Sequence, residues 1–315
     1  MSNKQLKIVF MGTPDFAAVC LESIISSKHE VVGVVTAPDR QSGRGRKLNE
    51  SAVKKITLSN NLPIEQPEKL KSQDFHEILK SWNADLFVVV AFRMLPEVVW
   101  SMPEKGTINL HASLLPQFRG AAPIQRAIMQ GAQESGATVF KLAHKIDTGN
   151  IISRVKLDIG PNENAGSLHD RILSAGSKLL IESINLLASD QAIEIPQDEL
   201  ITDELLEAPK IFKEDRRIDW KLNTLEIHNK IRGLSPYPSA FTTISGREND
   251  ILKILEGTPS SGKIQEGFVV VENNKLLVGT GDGSYEITKI QPAGKSSMDS
   301  KSFINGLRKE IMNFD

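Results

Sequence analysis

Short apolar runs alternate with longer amphipathic stretches over the first half of the chain. Continuous apolar runs at 6–11, 31–37, 85–92 and 106–113 predict buried strands. The stretches between them place apolar residues at helical spacing, as at 15–27. Strands that are apolar on both faces and are separated by helices are typical of a parallel sheet that is covered on both sides. The pattern therefore predicts an α/β domain.

The pattern changes after a long amphipathic helix predicted at 165–188. The next twenty or so residues are polar and acidic and contain Pro196 and Pro209, so they predict a linker. Beyond them, short alternating segments separated by turn residues predict a small antiparallel barrel or sandwich. We expect a Rossmann-like, mostly parallel sheet with helices on both faces, then the linker, then a small β-barrel domain of the OB type. The expected bounds are 1–189, 190–209 and 210–315.

Composition narrows the class of protein. The chain has 315 residues, of which 40% are hydrophobic, and a formal net charge of −1, which excludes a disordered chain and a wholly basic nucleic-acid coat. Its one cysteine, Cys20, excludes an internal disulfide framework and a cysteine-cluster zinc site. The N-terminus lacks the pattern of a signal peptide, and no apolar stretch approaches the roughly 18 residues of a membrane span. We expect a cytoplasmic protein with no membrane segment.

Candidate chemistry is concentrated in NLHASLLPQFRGAAP at 109–123. Asn109 and His111 are two residues apart at the end of a predicted strand, so their side chains project from the same face. An amide donor beside an imidazole can stabilise negative charge that develops on an oxygen during acyl transfer. Histidine also exchanges protons near neutral pH. The pair therefore predicts a catalytic site at this strand end.

A third candidate lies in the turn IDTG, where Asp147 separates two further predicted strands. A carboxylate close to His111 would favour the imidazolium form and fix its orientation. Two plainer interpretations stay open from the residues alone. The three side chains are either hydrogen-bonded structural groups, or ligands of a metal, although no third clustered ligand and no His-Glu-x-x-His motif is present.

Together, NLHASLLPQFRG and IDTGNI resemble the 10-formyltetrahydrofolate-dependent formyltransferases. The resemblance implies that Asn109, His111 and Asp147 are the catalytic trio, and that no metal takes part. It also implies 10-formyltetrahydrofolate as the donor of the formyl group. The loop implied to bind the folate consists of Ser113, Leu114, Leu115 and Pro116.

Other segments are similar to the family members that formylate methionyl-tRNA, namely FMGTPDFA, PDRQSGRGRKL at 38–48 and HNKIRGLSPYPSAF at 228–241. In 38–48, four cations stand against one acid, and two glycines allow the segment to adapt to phosphates. The resemblance implies the initiator methionyl-tRNA as acceptor. Nothing in the sequence demands a protein partner, so we expect a monomer. The side chains implied to contact tRNA are Arg40, Arg44, Arg46, Lys47, Lys230 and Arg232.

The chain departs from the family pattern at two places. Arg93, in AFRMLP, stands where the family usually has Tyr-Gly, and KLAHK at 141–145 replaces a more acidic run. Two other functions stay open: formyl transfer to an amino-sugar nucleotide, and a catalytically silent RNA-binding protein. Histidines in polar or charged surroundings are expected at the surface. These are His29, His76, His144 and His169.

Overall fold

The computed structural model describes residues 4–42, 47–306 and 313–315. The contacts between residues divide the chain into two compact units, each assembled from three stretches of sequence. The first unit comprises Met1–Arg119, Gly136–Leu157 and Arg171–Leu206, and the second comprises Gly120–Ser135, Asp158–Asp170 and Glu207–Asp315.

A seven-stranded sheet forms the centre of the first unit. The first nine strands of the chain are β1 (Lys7–Gly12), β2 (Glu30–Val35), β3 (Arg40–Ser42), β4 (Lys47–Asn49), β5 (Ile64–Glu65), β6 (Leu86–Val90), β7 (Thr107–His111), β8 (Glu134–Lys141) and β9 (Ile151–Asp158). Their order in the sheet is β5-β2-β1-β6-β7-β8-β9, while β3 and β4 pair separately as an antiparallel ribbon. The five strands from β5 to β7 are parallel, and β8 runs antiparallel to β7. The predicted mostly parallel sheet is confirmed.

Both faces of this sheet are buried, as the continuous apolar runs predict. Val9 and Met11 of β1 pack in a cluster with Phe75 and Leu79 from one helix and with Val99 from another. The alternate positions of β1 and β6 point the other way and are fully buried as well. The helices of this unit are α1 (Asp15–Ile25), α2 (Ala52–Ser59), α3 (Gln73–Ser81) and α4 (Glu97–Trp100).

Helix α1 begins at a proline and buries its apolar side against β1 and β6. Pro14 occupies the N-cap, where its missing N–H costs no hydrogen bond, and Asp15 places a negative charge in the first turn. Cys20 lies on the buried side, and burial raises the pKa of its thiol to about 12. The thiol is therefore protonated at neutral pH and acts as a core side chain.

The second unit is built on an antiparallel sheet. The remaining helices of the chain are α5 (Pro123–Met129), α6 (Ala165–Ala188), α7 (Thr224–Leu234) and α8 (Ser300–Asn305). The remaining strands are β10 (Ala240–Ile244), β11 (Arg247–Ser260), β12 (Val269–Glu272), β13 (Lys275–Gly279), β14 (Ser284–Pro292) and β15 (Met298–Asp299). The strand order is β10-β11-β14-β13-β12, and β15 pairs with β14. The bounds of α6 agree with the helix predicted at 165–188.

The last residues of the chain connect the two ends of this sheet. Phe314 bridges Ile244 at the end of β10, and its N–H donates to the carbonyl of Gly267, just before β12. The Phe314 side chain is buried in the core of the unit, where its ring lies 5.9 Å from that of Trp220. Within the part of the chain that the structure describes, no helix is both long and apolar enough to cross a membrane.

Candidate active site

The end of β7 presents the two candidate side chains that the sequence predicts. Asn109 lies opposite Val89 of β6 and Phe140 of β8, and His111 lies opposite Thr138 of β8. Because side chains alternate along a strand, Asn109 and His111 point to the same face. Asn109 is half-buried and His111 is buried, so both leave the sheet in a sheltered position.

His111 is held by two neighbours. Its Nε2 lies 2.9 Å from the backbone carbonyl of Phe118. A carbonyl oxygen only accepts hydrogen bonds, so Nε2 carries a proton and donates it. The other ring nitrogen, Nδ1, lies 3.8 Å from Oδ2 of Asp147. Nδ1 is therefore the ring nitrogen that faces the carboxylate.

Asp147 reaches His111 from the connection between β8 and β9. Its backbone has φ +53°, in the left-handed region that residues with a side chain seldom adopt. Two residues on, a Cβ at Gly149 would lie 1.7 Å from the carbonyl oxygen of Lys141, so only glycine fits there. The turn therefore has a demanding backbone geometry, and it brings together His111 and Asp147, which are distant in sequence.

Residues in the left-handed region occur in three connections of the first unit near functional candidates. Ala91 directly follows β6, Phe118 supplies the carbonyl that binds His111, and Asp147 supplies the carboxylate; their φ values are +47°, +60° and +53°. Backbone strain of this kind persists only where the surroundings enforce it, and it often occurs at functional sites. Its presence next to both His111 and Asp147 supports a functional interpretation of the pair.

A buried polar residue beside Asp147, Gln197, has no signal in the sequence. Gln197 lies in the stretch 190–209, which its composition predicts to be a linker. The side chain is nevertheless only 2% exposed and belongs to a short 3-10 helix. Its Nε2 donates to the carbonyls of Asp147 and Gly149, at 2.9 and 2.8 Å. Its Oε1 accepts from the guanidinium of Arg119. A single glutamine in a polar segment gives no periodic signal, so only the folded chain shows where it lies.

The predicted folate loop is mostly buried. Ser113 donates from Oγ to the carbonyl of Gln117 at 2.6 Å, and Leu115 packs in a small apolar cluster. Pro116 is buried as well, whereas Leu114 is half-buried. Three of the four side chains are therefore packed inside the unit, and Leu114 is the most accessible of them. The role of this loop toward folate stays a prediction.

Arg93, the first departure from the family pattern, connects two loops. Its two terminal nitrogens donate to the carbonyls of Glu68, at 2.9 Å, and Pro67. Its guanidinium also lies 5.6 Å from the centre of the Phe92 ring. Burial lowers the pKa of Arg93, and the charge of Arg40 lowers it further. Arg93 therefore braces the loop after β6 against the segment after β5.

The second departure, at 141–145, forms surface contacts. Lys141 lies 2.5 Å from a carboxylate oxygen of Glu194. His144 lies 3.4 Å from a carboxylate oxygen of Glu97, and its ring meets that of Trp100 edge-on at 5.5 Å. These contacts attach the start of the β8–β9 connection to Glu194, Glu97 and Trp100.

The basic segment is described only in part. Arg40 is exposed at the start of β3. Arg44 and Arg46 lie outside the described residues, and Lys47 begins β4 with a side chain that is likewise not described. At the base of the segment, Asp39 accepts from Lys54 and from Gln66, which lower its pKa in that order.

Lys230 and Arg232, the other predicted tRNA contacts, are used inside the second unit. Lys230 donates from Nζ to the carbonyl of Arg217 at 2.9 Å, and burial lowers its pKa. Arg232 is 8% exposed, and its Nη1 donates to the carbonyls of Gly160 and Glu163 at 3.2 and 3.0 Å. Burial also lowers the pKa of Arg232. These contacts indicate that Lys230 and Arg232 brace the second unit. Contact of the two side chains with tRNA stays a prediction, and their hydrogen bonds to backbone carbonyls do not support it.

Two of the histidines expected at the surface are buried, so that expectation is wrong for them. His29 accepts from the N–H of Leu6 and contacts Asn185, and His76 donates to the carbonyl of Leu70. Each imidazole ring has apolar and polar parts, and its nitrogens find hydrogen-bond partners inside the fold. The polar residues next to each histidine in the sequence do not reveal these distant partners. His144 is exposed and His169 is half-buried. Among the described residues, no group of three or more His, Cys, Asp or Glu side chains has the arrangement of a metal site.

Comparison with known families gives two matches that together span most of the chain. Residues 6–184 match the formyl transferase family, and residues 210–308 match the formyl transferase C-terminal domain. A relative from Bacteroides fragilis named methionyl-tRNA formyltransferase is 44% identical over 312 residues, covering 97% of this chain and 96% of the relative. A relative of the same name from Flavobacterium johnsoniae is 41% identical over 307 residues, covering 96% and 97%.

Solved structures share the fold at lower identity. HypX from Aquifex aeolicus in complex with tetrahydrofolic acid has a TM-score of 0.65 and 18% identity, covering 98% of this chain and 50% of HypX. WlaRD, a sugar 3N-formyl transferase solved with dTDP and 5-N-formyl-THF, has a TM-score of 0.64 and 20% identity, covering 93% and 99%. At these identities the similarity establishes the fold alone.

Proposed function

Because the chain belongs to the formyltransferase family, we propose that it transfers the formyl group of 10-formyltetrahydrofolate to the α-amino group of methionine on the initiator tRNA. The product is N-formylmethionyl-tRNA, which serves translation initiation. The observation that carries this proposal is the approach of His111 Nδ1 to Asp147 Oδ2, 3.8 Å, beside Asn109. It occurs in a chain that is similar to methionyl-tRNA formyltransferases over nearly its whole length.

The formyl donor is a substrate, and it supplies a carbonyl carbon that the amine attacks, so negative charge develops on the formyl oxygen. The amide of Asn109 donates a hydrogen bond to that oxygen. A donor that meets charge developing in the transition state lowers the barrier because it needs no reorganisation. Asn109 therefore orients the formyl group and stabilises the charge.

His111 and Asp147 manage the proton. Nε2 of His111 already donates its hydrogen bond to the carbonyl of Phe118. In the cationic form of the ring, the N–H group at Nδ1 is therefore the second donor. The carboxylate of Asp147 stabilises that cation. Asp147 also accepts the proton released by the attacking amine, directly or through a water molecule. When the tetrahedral intermediate collapses, the bond between the formyl carbon and N10 of the folate breaks, and N10 takes up that proton through His111, so that tetrahydrofolate leaves. The two residues thus act as one proton-handling unit.

The acceptor is proposed to bind through the basic segment and the C-terminal domain at 210–315. Arg40, Arg44, Arg46 and Lys47 can neutralise phosphates in a segment that two glycines make adaptable. Lys230 and Arg232 are left out of this assignment because their donors hold backbone carbonyls. For the donor, the exposed apolar side chains Met94 and Ile146, on the loops after β6 and β8, suit the face of an aromatic ring. We expect the protein to act in the cytoplasm as a monomer.

The test is incubation of the purified protein with 10-formyltetrahydrofolate and methionyl-tRNA, scoring the blocked amino group. Asn109→Ala, His111→Ala and Asp147→Ala should each lose turnover while the fold is retained, and loss of one such donor typically slows the reaction about 100- to 1000-fold. Formylation of an amino-sugar nucleotide but not of methionyl-tRNA would contradict the proposed acceptor. Turnover close to wild type in any variant would remove that residue from the mechanism.

A second test addresses the basic segment. The double variant Arg44→Ala with Arg46→Ala should bind tRNA more weakly, and the salt dependence of its affinity should be flatter, because fewer counterions are released. The matched control is Lys80→Ala with Lys178→Ala, two exposed lysines of the first unit that lie outside both the basic segment and the C-terminal domain. An unchanged affinity at several salt concentrations in the arginine variant would contradict tRNA binding by this segment.

A further inference from the structure

We infer that Gln197 is a positioning residue for formyl transfer, which holds the Asp147 turn in register with the segment that follows His111. Its side-chain amide makes every hydrogen bond that such a group can make at close range. It donates to the carbonyls of Asp147 and Gly149, and it accepts two hydrogen bonds from Arg119, at 3.0 Å from Nε and 2.7 Å from Nη2. The kinetic part of this inference rests on the proposed function.

The partners of Gln197 are the two chain segments that support the candidate site. Arg119 directly follows Phe118, and the carbonyl of Phe118 accepts the hydrogen bond from His111 Nε2. Asp147 and Gly149 belong to the turn that presents the carboxylate. One buried amide thus links the support of the imidazole to the support of its carboxylate partner.

The geometry of the Asp147 turn explains why such a link is needed. Asp147 is in the left-handed region, and Gly149 approaches the carbonyl of Lys141 closely. A strained turn relaxes unless its surroundings hold it. The distance of 3.8 Å between His111 and Asp147 leaves little room for such a movement. A displacement of the turn by about 1 Å would separate the pair, and misplacement of that size costs on the order of 100-fold in rate.

The chemistry of the amide also explains why glutamine suits this position. The two carbonyls require donors and the guanidinium requires an acceptor, and a carboxamide offers both at opposite ends of one planar group. A carboxylate could still bind Arg119, with a stronger charge-assisted bond, but it would face the two carbonyls with lone pairs. An apolar side chain of similar length would fill the space and satisfy neither side.

The test compares two substitutions of Gln197 in the full-length protein. Gln197→Met removes both sets of hydrogen bonds, and Gln197→Glu keeps the contact with Arg119 while removing the donors to the turn. Both should lower kcat by about 10- to 100-fold while KM for each substrate changes by less than about threefold, because the substrates still bind and the reacting groups are misplaced. If Gln197→Met fails to fold, Gln197→Glu provides the measurement, because its ion pair with Arg119 holds the segment.

A double-mutant comparison separates positioning from a general structural role. On an Asp147→Asn background, Gln197→Met should cost less than about threefold in kcat, because residues that act as a unit are not additive. The control is Asn185→Leu, which removes a partly buried contact with His29 elsewhere in the same unit and should leave kcat unchanged. The inference is overturned if kcat of Gln197→Met stays within twofold of wild type, or if the loss is equally large on both backgrounds.

The inference can fail separately from the proposed function. If the wild-type protein formylates no acceptor, the proposed function fails, and the inference is then judged by crystal structures of wild type and Gln197→Met. A displaced turn at 145–149 in the variant is the expected result. A turn that coincides with that of wild type would overturn the positioning role.

Discussion

His111 and His228 are two buried histidines in different units of the chain, and they are alike in most respects. They are 6% and 4% exposed. Each directs Nε2 to a backbone carbonyl, that of Phe118 at 2.9 Å for His111 and that of Pro161 at 3.1 Å for His228. They differ at Nδ1, which faces the carboxylate of Asp147 in one case and the hydroxyl of Tyr285, at 3.2 Å, in the other.

That difference gives the two rings different chemical surroundings at Nδ1, a carboxylate for His111 and a phenol for His228. Burial lowers the pKa of His228, and the charge of Arg232 lowers it further, while burial raises the pKa of Tyr285. The lowered pKa favours the neutral ring of His228, which donates from Nε2 to the carbonyl of Pro161 and accepts at Nδ1 from the hydroxyl of Tyr285. His111 instead faces a carboxylate that can stabilise its positive charge. The comparison teaches that the partner at the second nitrogen, and not burial, marks the candidate catalytic histidine.

The largest expected effect comes from substituting each histidine in turn with glutamine. His111→Gln should lower the rate of formyl transfer by about 100- to 10,000-fold, the usual range for loss of a general acid–base group. His228→Gln should leave the rate within about threefold of wild type, because His228 has no partner that takes up a proton. Parallel kcat measurements check this, and equal losses in the two variants would remove the distinction.

A smaller effect is expected on stability. His228→Leu leaves the hydroxyl of Tyr285 and the carbonyl of Pro161 without their partner inside the second unit. An unsatisfied buried polar group typically costs about 1–3 kcal/mol, so the free energy of unfolding should fall by at least about that amount. Denaturant unfolding measures the loss. A variant as stable as wild type would show that the His228 hydrogen bonds contribute nothing.

The smallest expected effect is on the pH dependence of the free energy of unfolding. Because the pKa of His228 is lowered in the folded state, the unfolded chain takes up a proton below about pH 6.5 that the folded chain does not. The contribution of His228 to stability is therefore full above that pH and is lost as the pH is lowered. Unfolding measured from pH 7.5 to 5.5 should show a smaller fall for His228→Gln than for wild type. His29, whose pKa is also lowered by burial, accounts for part of the fall that remains. The same slope in both proteins would contradict the shift.

Sequence patterns predict the local elements of this fold well because each depends on nearby residues. The apolar runs that form most of β1 and all of β6 are continuous, and in β7 the alternation rule alone places Asn109 and His111 on one face. The turn IDTG adds Asp147 as a candidate, the resemblance implies its role, and the structure places its Oδ2 3.8 Å from Nδ1 of His111.

Contacts between distant parts of the chain could not be predicted in this way. The burial of His228 depends on Tyr285, 57 residues away, and the role of Gln197 depends on Arg119, 78 residues away. Gln197 stands in a polar, acidic stretch that has the composition of a linker, so its burial has no local signature. Arg232 likewise has the charge of a tRNA contact, and only the carbonyls around it reveal a bracing role.

The proposed function depends most directly on formyl transfer at the pair formed by His111 and Asp147. The measurement that tests it is a single-turnover reaction in which the transfer of labelled formyl from 10-formyltetrahydrofolate to methionyl-tRNA is followed for wild type and for Asp147→Asn. We expect rapid labelling of the methionyl amine by wild type and a rate at least about 100-fold lower in the variant. The rate falls because the variant loses the carboxylate that stabilises His111 and accepts the proton. Equal rates in the two proteins, or no labelled methionyl-tRNA with wild type, would contradict it.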